Sequence, residues 1–195
     1  MDRTMKLVIL DRDGTINEDS DEFVKSPEEW IPQPGALEAI ARLNHAGWHV
    51  VIVSNQSGLG RGLFDVVQLN AMHAKMHKLL AAVGGRVDAV FYCPHAPDEA
   101  CACRKPKPGL FEQVADRFGV DLKDVPAVGD SLRDLQAAVA AGCEPHLVLT
   151  GKGHQYRGQP LPEDFPAGTL KHEDLMAFAN FLVARPVPAK KVAGA

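Results

Sequence analysis

LVILDRDGTIN, residues 7–17, is the stretch on which the fold turns. Four apolar residues, Leu7 to Leu10, form a run of strand length that two acids then close. On an extended backbone positions two apart face the same way, so Asp11 and Asp13 present both carboxylates to one side. Gly14 allows a sharp exit, and the Thr15 hydroxyl is placed to hold the turn. A run without polar alternation reads as a strand buried on both faces, as in a parallel sheet.

Outward from it the pattern repeats. WHVVIV (48–53), VDAVFY (87–92), PAVG (126–129) and HLVLT (146–150) are further candidate strands. Between them lie helix-patterned segments at 34–47, 65–85, 108–119 and 131–142, each closing at a glycine, and 172–184 is a last helix. Pro34 and Pro108 fall where a first helical turn tolerates a missing N–H. The alternation predicts an α/β fold: a mostly parallel, Rossmann-like sheet with helices on both faces. One domain over residues 1–185 and a flexible tail at 186–195 are expected.

Ligands in such sheets bind beyond the carboxyl ends of the strands. Ser54 and Asn55 end the second run; Asp130 ends the fourth, with Asp134 one helical turn on. Asp130 or Ser131 can serve as an N-cap for the helix that follows. Capping alone does not explain why hydroxyl and acidic groups gather at one edge of the sheet.

Composition narrows the function classes. The chain has 195 residues, and its net charge of −4 argues against a polyanion-coating protein. Any anion recognition is local, and neither nucleic acid nor membrane is an expected partner. Leu7–Leu10 is too short for a signal core or a span, so a cytoplasmic protein with reduced thiols is expected. Cys143 reads as a core residue.

CPHAPDEACACRKPKPG (93–109) holds the other three cysteines. Cys93, His95, Cys101 and Cys103 form a Cys₃His set that closes a zinc tetrahedron and leaves no position for water, which makes the metal structural. A Cys101–Cys103 disulfide would strain so tight a ring. Zinc pinning Cys103 also pins Arg104 and Lys105, and Pro106 and Pro108 continue the stiffening.

Taken together, DRDGT (11–15), SNQ (54–56), Lys105 and GDSLRD (129–134) resemble the four ordered motifs of the haloacid dehalogenase-like phosphatases, over about residues 7–150. The resemblance implies Asp11 as nucleophile, Asp13 as general acid and base, and Ser54 and Lys105 on the transferring phosphoryl group. It also implies Mg²⁺ on Asp11, the Asp13 carbonyl and Asp130, with Asp134 orienting Lys105. No interval is long enough for a large cap domain, so loops 17–30, 57–62 and 93–105 are expected to carry specificity.

Within that family the zinc loop resembles two groups. One removes a phosphate from heptose 1,7-bisphosphate in lipopolysaccharide heptose synthesis; the other acts on histidinol phosphate. SNQSGLGRG and RKPKPG look more like the heptose group, and a bisphosphate offers Arg61 and Arg104 a second anion. Asn55, Gln56, Arg61 and Arg104 are therefore expected at a phosphorylated small-molecule substrate, in a monomer. Asp19, Asp21 and Glu22 would suit the amine of histidinol phosphate, and read equally as a solvated loop. The segment between His95 and Cys101 is short for the heptose group, which leaves the anomer open. A non-enzymatic zinc module would have no need of Asp11, Asp13 and Asp130 together. His73 and His77 read as a solvated helix face, and Trp30 and Trp48 as packing residues.

Overall fold

The computed structural model describes residues 5–185. The tail expected at 186–195 lies outside the described residues. Six strands, β1 (Leu7–Leu10), β2 (His49–Asn55), β3 (Ala89–Cys93), β4 (Pro126–Gly129), β5 (Glu144–Val148) and β6 (Leu170–His172), form one sheet in the order β3-β2-β1-β4-β5-β6. Every pairing is parallel. The helices are α1 (Ala36–His45), α2 (Ser57–Gly60), α3 (Val66–Ala82), α4 (Gly109–Phe118), α5 (Leu132–Ala140) and α6 (Leu175–Ala184), with a 3₁₀ turn at Gly151–Tyr156.

The unbroken apolar run of β1 is explained by its two covered faces. Val8 and Leu10 join one core cluster with Ile40, Leu43, Met72 and Phe178, while Leu7 and Ile9 join another with Phe111, Val114 and Ala137. Burying each Leu or Ile side chain contributes about 1.5–3 kcal/mol. Trp30, fully buried in the first cluster, and Trp48, packed against it, are packing residues as expected.

From β1 the chain winds to β2 and β3, then crosses to the other side of β1 for β4. The strand order thus reverses between β1 and β4, where a crevice opens beyond the carboxyl ends. The Asp11 N–H donates to the Val128 carbonyl at 2.8 Å, which fixes the exits of the two strands side by side.

Three sequence expectations need correction. HLVLT belongs to a strand that starts earlier, at Glu144, and ends at Val148. The last helix starts at Leu175, because Asp174 caps it by accepting from Ala177 N–H at 2.7 Å, and His172 belongs to β6. A three-residue strand is too short to show a period. The turn after β1 is held by the backbone, Ile16 N–H to Arg12 carbonyl at 2.8 Å, while Thr15 Oγ1 has no hydrogen-bond partner among the described residues. No helix among the described residues is long and apolar enough to cross a membrane.

Candidate active site

Asp11, Asp13, Ser54, Lys105, Asp130 and Asp134 all line one cavity of about 330 Å³ at the carboxyl ends of β1, β2 and β4. Lys105 arrives from the loop after β3. Its Nζ donates to Asp11 Oδ1 at 2.7 Å and to the Val53 carbonyl at 2.8 Å, and lies 2.7 Å from Asp134 Oδ1. Burial alone would lower its pKa, but Asp11 and Asp134 raise it above the ordinary lysine value, so it stays charged. Asp134 is held in turn by the cap of α5, where the Ser131 N–H and hydroxyl donate to Asp134 Oδ2 at 3.0 and 2.5 Å.

Asp11, Asp130 and Asp134 bring carboxylate oxygens within 4.8 Å of one another. Burial pushes Asp11 up to about 7, and Asp134 adds to the rise against the opposing pull of Lys105. Asp130 is raised well above the usual carboxylate range by burial, then by Asp134 and Asp11. Three buried carboxylates facing one ammonium are an oxygen-donor set short of positive charge, which suits a hard divalent cation such as Mg²⁺. The backbone accommodates Asp130 closely: a Cβ at Gly14 or Gly151, both at positive φ, would collide with its Oδ2. The same oxygen accepts from Lys152 N–H at 2.7 Å.

Asp13 is surrounded by donors. Burial pushes its carboxyl up, but Arg12, Asn17 and Gln56 outweigh that and hold it below the usual carboxylate range. The two catalytic candidates therefore have environments that push their pKa values apart.

The second metal set assembles as its spacing predicts. Cys93, His95, Cys101 and Cys103 offer four ligand atoms within 4.8 Å of one another, and all three thiols are free. His95 Nδ1 lies 3.4 Å from Cys93 Sγ and 3.3 Å from Cys103 Sγ. Three sulfurs and an imidazole suit zinc and are too soft for magnesium. β3 ends on Cys93, so the loop is anchored to the sheet at the point where its metal ligands begin.

Comparison with known proteins supplies the family. A "Polynucleotide kinase 3 phosphatase" family model matches residues 6–136, and a HAD-hydrolase-like model matches residues 102–171. D-glycero-beta-D-manno-heptose-1,7-bisphosphate 7-phosphatase of Bordetella bronchiseptica is 61% identical over 92% of this chain and 98% of its own length. The enzyme of that name from Pseudomonas aeruginosa is 53% identical over 91% and 97%. The chain belongs to the heptose-1,7-bisphosphate 7-phosphatase family. A crystal structure of the B. bronchiseptica D,D-heptose 1,7-bisphosphate phosphatase, complexed with magnesium and phosphate, superposes with a TM-score of 0.88 over 92% of this chain and 98% of that one.

In this member of the heptose-1,7-bisphosphate 7-phosphatase family, Asn55 and Gln56 line the cavity as expected and also have internal hydrogen-bond partners. Asn55 spends its amide on Lys105, donating to its carbonyl at 3.1 Å and accepting from its N–H at 3.0 Å. The Gln56 amide donates to Asp13 Oδ2 at 2.9 Å and Ser54 Oγ at 2.7 Å and accepts from Arg12. Arg61 and Arg104 do line the cavity, Arg61 with its guanidinium 5.5 Å from the centre of the Phe23 ring. Asp19 is paired with Lys152 at 2.7 Å. His77 is exposed as expected, but His73 is half-buried: its Nε2 lies 3.5 Å from Arg12 Nη1, and burial, followed by Arg12, lowers it to about 4. Sequence reasoning missed Arg133 and Lys152 in the cavity wall. Arg133 stands inside the GDSLRD motif and was open to notice; Lys152 had no local signal.

Proposed function

We propose that the protein hydrolyses the 7-phosphate of D-glycero-β-D-manno-heptose 1,7-bisphosphate by way of a phosphorylated Asp11. The observation that carries this reading is the buried Asp11 carboxylate, paired with Lys105 and flanked by Asp130, beneath a cavity mouth that holds Arg61, Arg104 and Arg133. A site for one phosphate monoester needs the first set of groups; a bisphosphate also needs the second. The β anomer is preferred on the names of the relatives, which share half or more of their residues with this chain.

Asp11, Asp130 and the carbonyl of Asp13 would hold Mg²⁺, which when bound neutralises charge on the phosphoryl oxygens. Asp134 is committed to Lys105 and Ser131, so it orients the ammonium rather than joining the metal. The side chains then divide the work. An Asp11 oxygen attacks phosphorus as the bond to the sugar oxygen breaks, with Lys105 and Ser54 on the transferring group. Asp13 gives its proton to the leaving sugar oxygen, then takes one from the water that splits the acyl-phosphate and restores Asp11. Asp13 is ionised in the free site, as the second half requires. An incoming phosphate dianion, a like charge, raises its carboxyl again for the first.

The thiolate-rich zinc set fits a reducing compartment, which supports the cytoplasm as the place of action. Phosphate release measured side by side on the β and α anomers of the bisphosphate and on histidinol phosphate tests the reading. The β anomer is expected to give the highest kcat/KM. Turnover of histidinol phosphate at an equal or higher kcat/KM overturns the substrate assignment.

A further inference from the structure

The residue between the two aspartates has no chemistry in the DRDGT motif, and strand alternation would turn Arg12 away from both neighbours. The structure does otherwise. Arg12 is 0% exposed, and its guanidinium comes back onto Asp13. Nε donates to Asp13 Oδ1 at 3.1 Å, and Nη2 donates to Oδ1 at 2.9 Å and Oδ2 at 3.0 Å. Nη2 also donates to Gln56 Oε1 at 3.2 Å, and Nη1 faces His73 Nε2 at 3.5 Å. Gln56 closes the ring by donating to Asp13 Oδ2 and Ser54 Oγ.

A planar fork that grips a carboxylate at two oxygens fixes its plane as well as its position, which a point-charge ammonium cannot do. Asn17 Nδ2 adds a third donor to Oδ1 at 2.9 Å. Oδ1 is thus saturated, while Oδ2 takes Gln56 and a shared contact from Nη2. With two donors against three on Oδ1, Oδ2 is the less crowded oxygen of the clamped carboxylate. Burying a guanidinium is costly, and only well-placed hydrogen bonds to an opposite charge offset that cost, which the Asp13 and Gln56 contacts supply.

We propose that Arg12 is a positioning residue: it orients the Asp13 carboxylate so that Oδ2 faces the leaving oxygen, and through Gln56 it ties that orientation to Ser54 at the phosphoryl group. The proposal rests on the assignment of Asp13 as the acid in the reading above.

The test uses leaving-group dependence in the full-length, metal-replete enzyme. A sugar alkoxide needs a proton as it departs; p-nitrophenolate does not. The comparison is made in kcat/KM, which includes the first phosphoryl transfer and excludes the later hydrolysis of the acyl-phosphate. Asp13→Asn, the reference, is expected to lose about 10²–10⁴-fold on the heptose bisphosphate and far less on p-nitrophenyl phosphate. Arg12→Lys, which keeps the charge and loses the fork, is expected to show the same selectivity with about a 10²-fold loss on the sugar. Equal losses on both substrates, or none, overturn the proposal, because a merely structural residue would not distinguish leaving groups. Should Arg12→Lys fail to fold, Gln56→Leu removes the amide that links Nη2 to Asp13 Oδ2 and decides the matter: a selective loss on the sugar supports the clamp, and its absence overturns it. If Asp13→Asn itself shows no selectivity, the acid assignment fails and the role of Arg12 falls with it.

Discussion

The Lys105 ammonium lies 2.7 Å from Asp11 Oδ1, across a separation of 94 residues, with both side chains nearly excluded from water. Removing Lys105 would leave the buried Asp11 and Asp134 carboxylates without their cation, a loss of about 3–5 kcal/mol, whereas Lys105 without Asp11 still has Asp134 at 2.7 Å. The pair places a cation directly beside the proposed nucleophile. Lys105 is carried by the loop that holds the candidate zinc ligands, and its backbone is also bonded by Asn55.

Asp11→Asn keeps the side-chain shape but cannot form an acyl-phosphate. A loss in kcat of roughly 10⁴-fold or more is expected, with an unchanged circular-dichroism spectrum. Turnover near the parent rate would rule out covalent catalysis at Asp11.

Asp130→Asn removes one carboxylate from the oxygen set. The Mg²⁺ concentration needed for half-maximal activity is expected to rise at least tenfold, with little change in folding. Gly151→Ala should act in the same direction, since its Cβ would displace Asp130 Oδ2 and the residue sits at φ +50°. An unaltered magnesium titration in both variants would remove Asp130 from the metal site.

Metal analysis should find one zinc per chain that excess Mg²⁺ does not displace, because thiolates prefer the softer ion. Cys101→Ser and Cys103→Ser should lose it. Activity then falls because the loop carrying Arg104 and Lys105 loosens, visible as faster hydrogen exchange over 93–105 while the sheet stays protected. Normal turnover in a zinc-free variant would show that the loop is held by other means, such as the Asn55 hydrogen bonds to Lys105.

Acid stability depends on a different pair. His146 Nδ1 and His172 Nε2 lie 3.0 Å apart against Phe178 and Phe181. Burial lowers His146 to about 3, with His172 and then Arg185 adding to it, and burial lowers His172 to about 4. Both fall below the unfolded value of about 6.5, so the unfolded chain binds the extra protons. Their contribution is full above pH 6.5 and is lost as the pH falls toward 4 and then 3. Each imidazole steepens that loss by up to about 1.4 kcal/mol per pH unit. Urea unfolding of parent and His146→Leu proteins between pH 7 and 4 should show a shallower slope in the variant.

Read residue by residue, the chain already declared five of its six strands, the acids at their ends and the candidate zinc ligands. Those signals are local: an apolar run, a carboxylate at its end, a C-x-H and C-x-C pair in one loop. Alternation implied a parallel sheet but not its strand order; that β1 and β4 are neighbours, which brings Asp11 and Asp130 together, was decided by the tertiary structure. What local pattern could not supply was the use of each polar group. Asn55 and Gln56 read as substrate contacts because they follow Ser54 at a strand end, yet their amides are consumed by Lys105 and by Asp13 with Arg12. Lys152 reaches Asp19 from 133 residues away, and His73 meets Arg12 across 61. A side-chain amide or guanidinium satisfies whichever donor or acceptor the packed fold sets beside it. Chain spacing determined which residues stand at the crevice; only tertiary packing decided which of them pair with one another there.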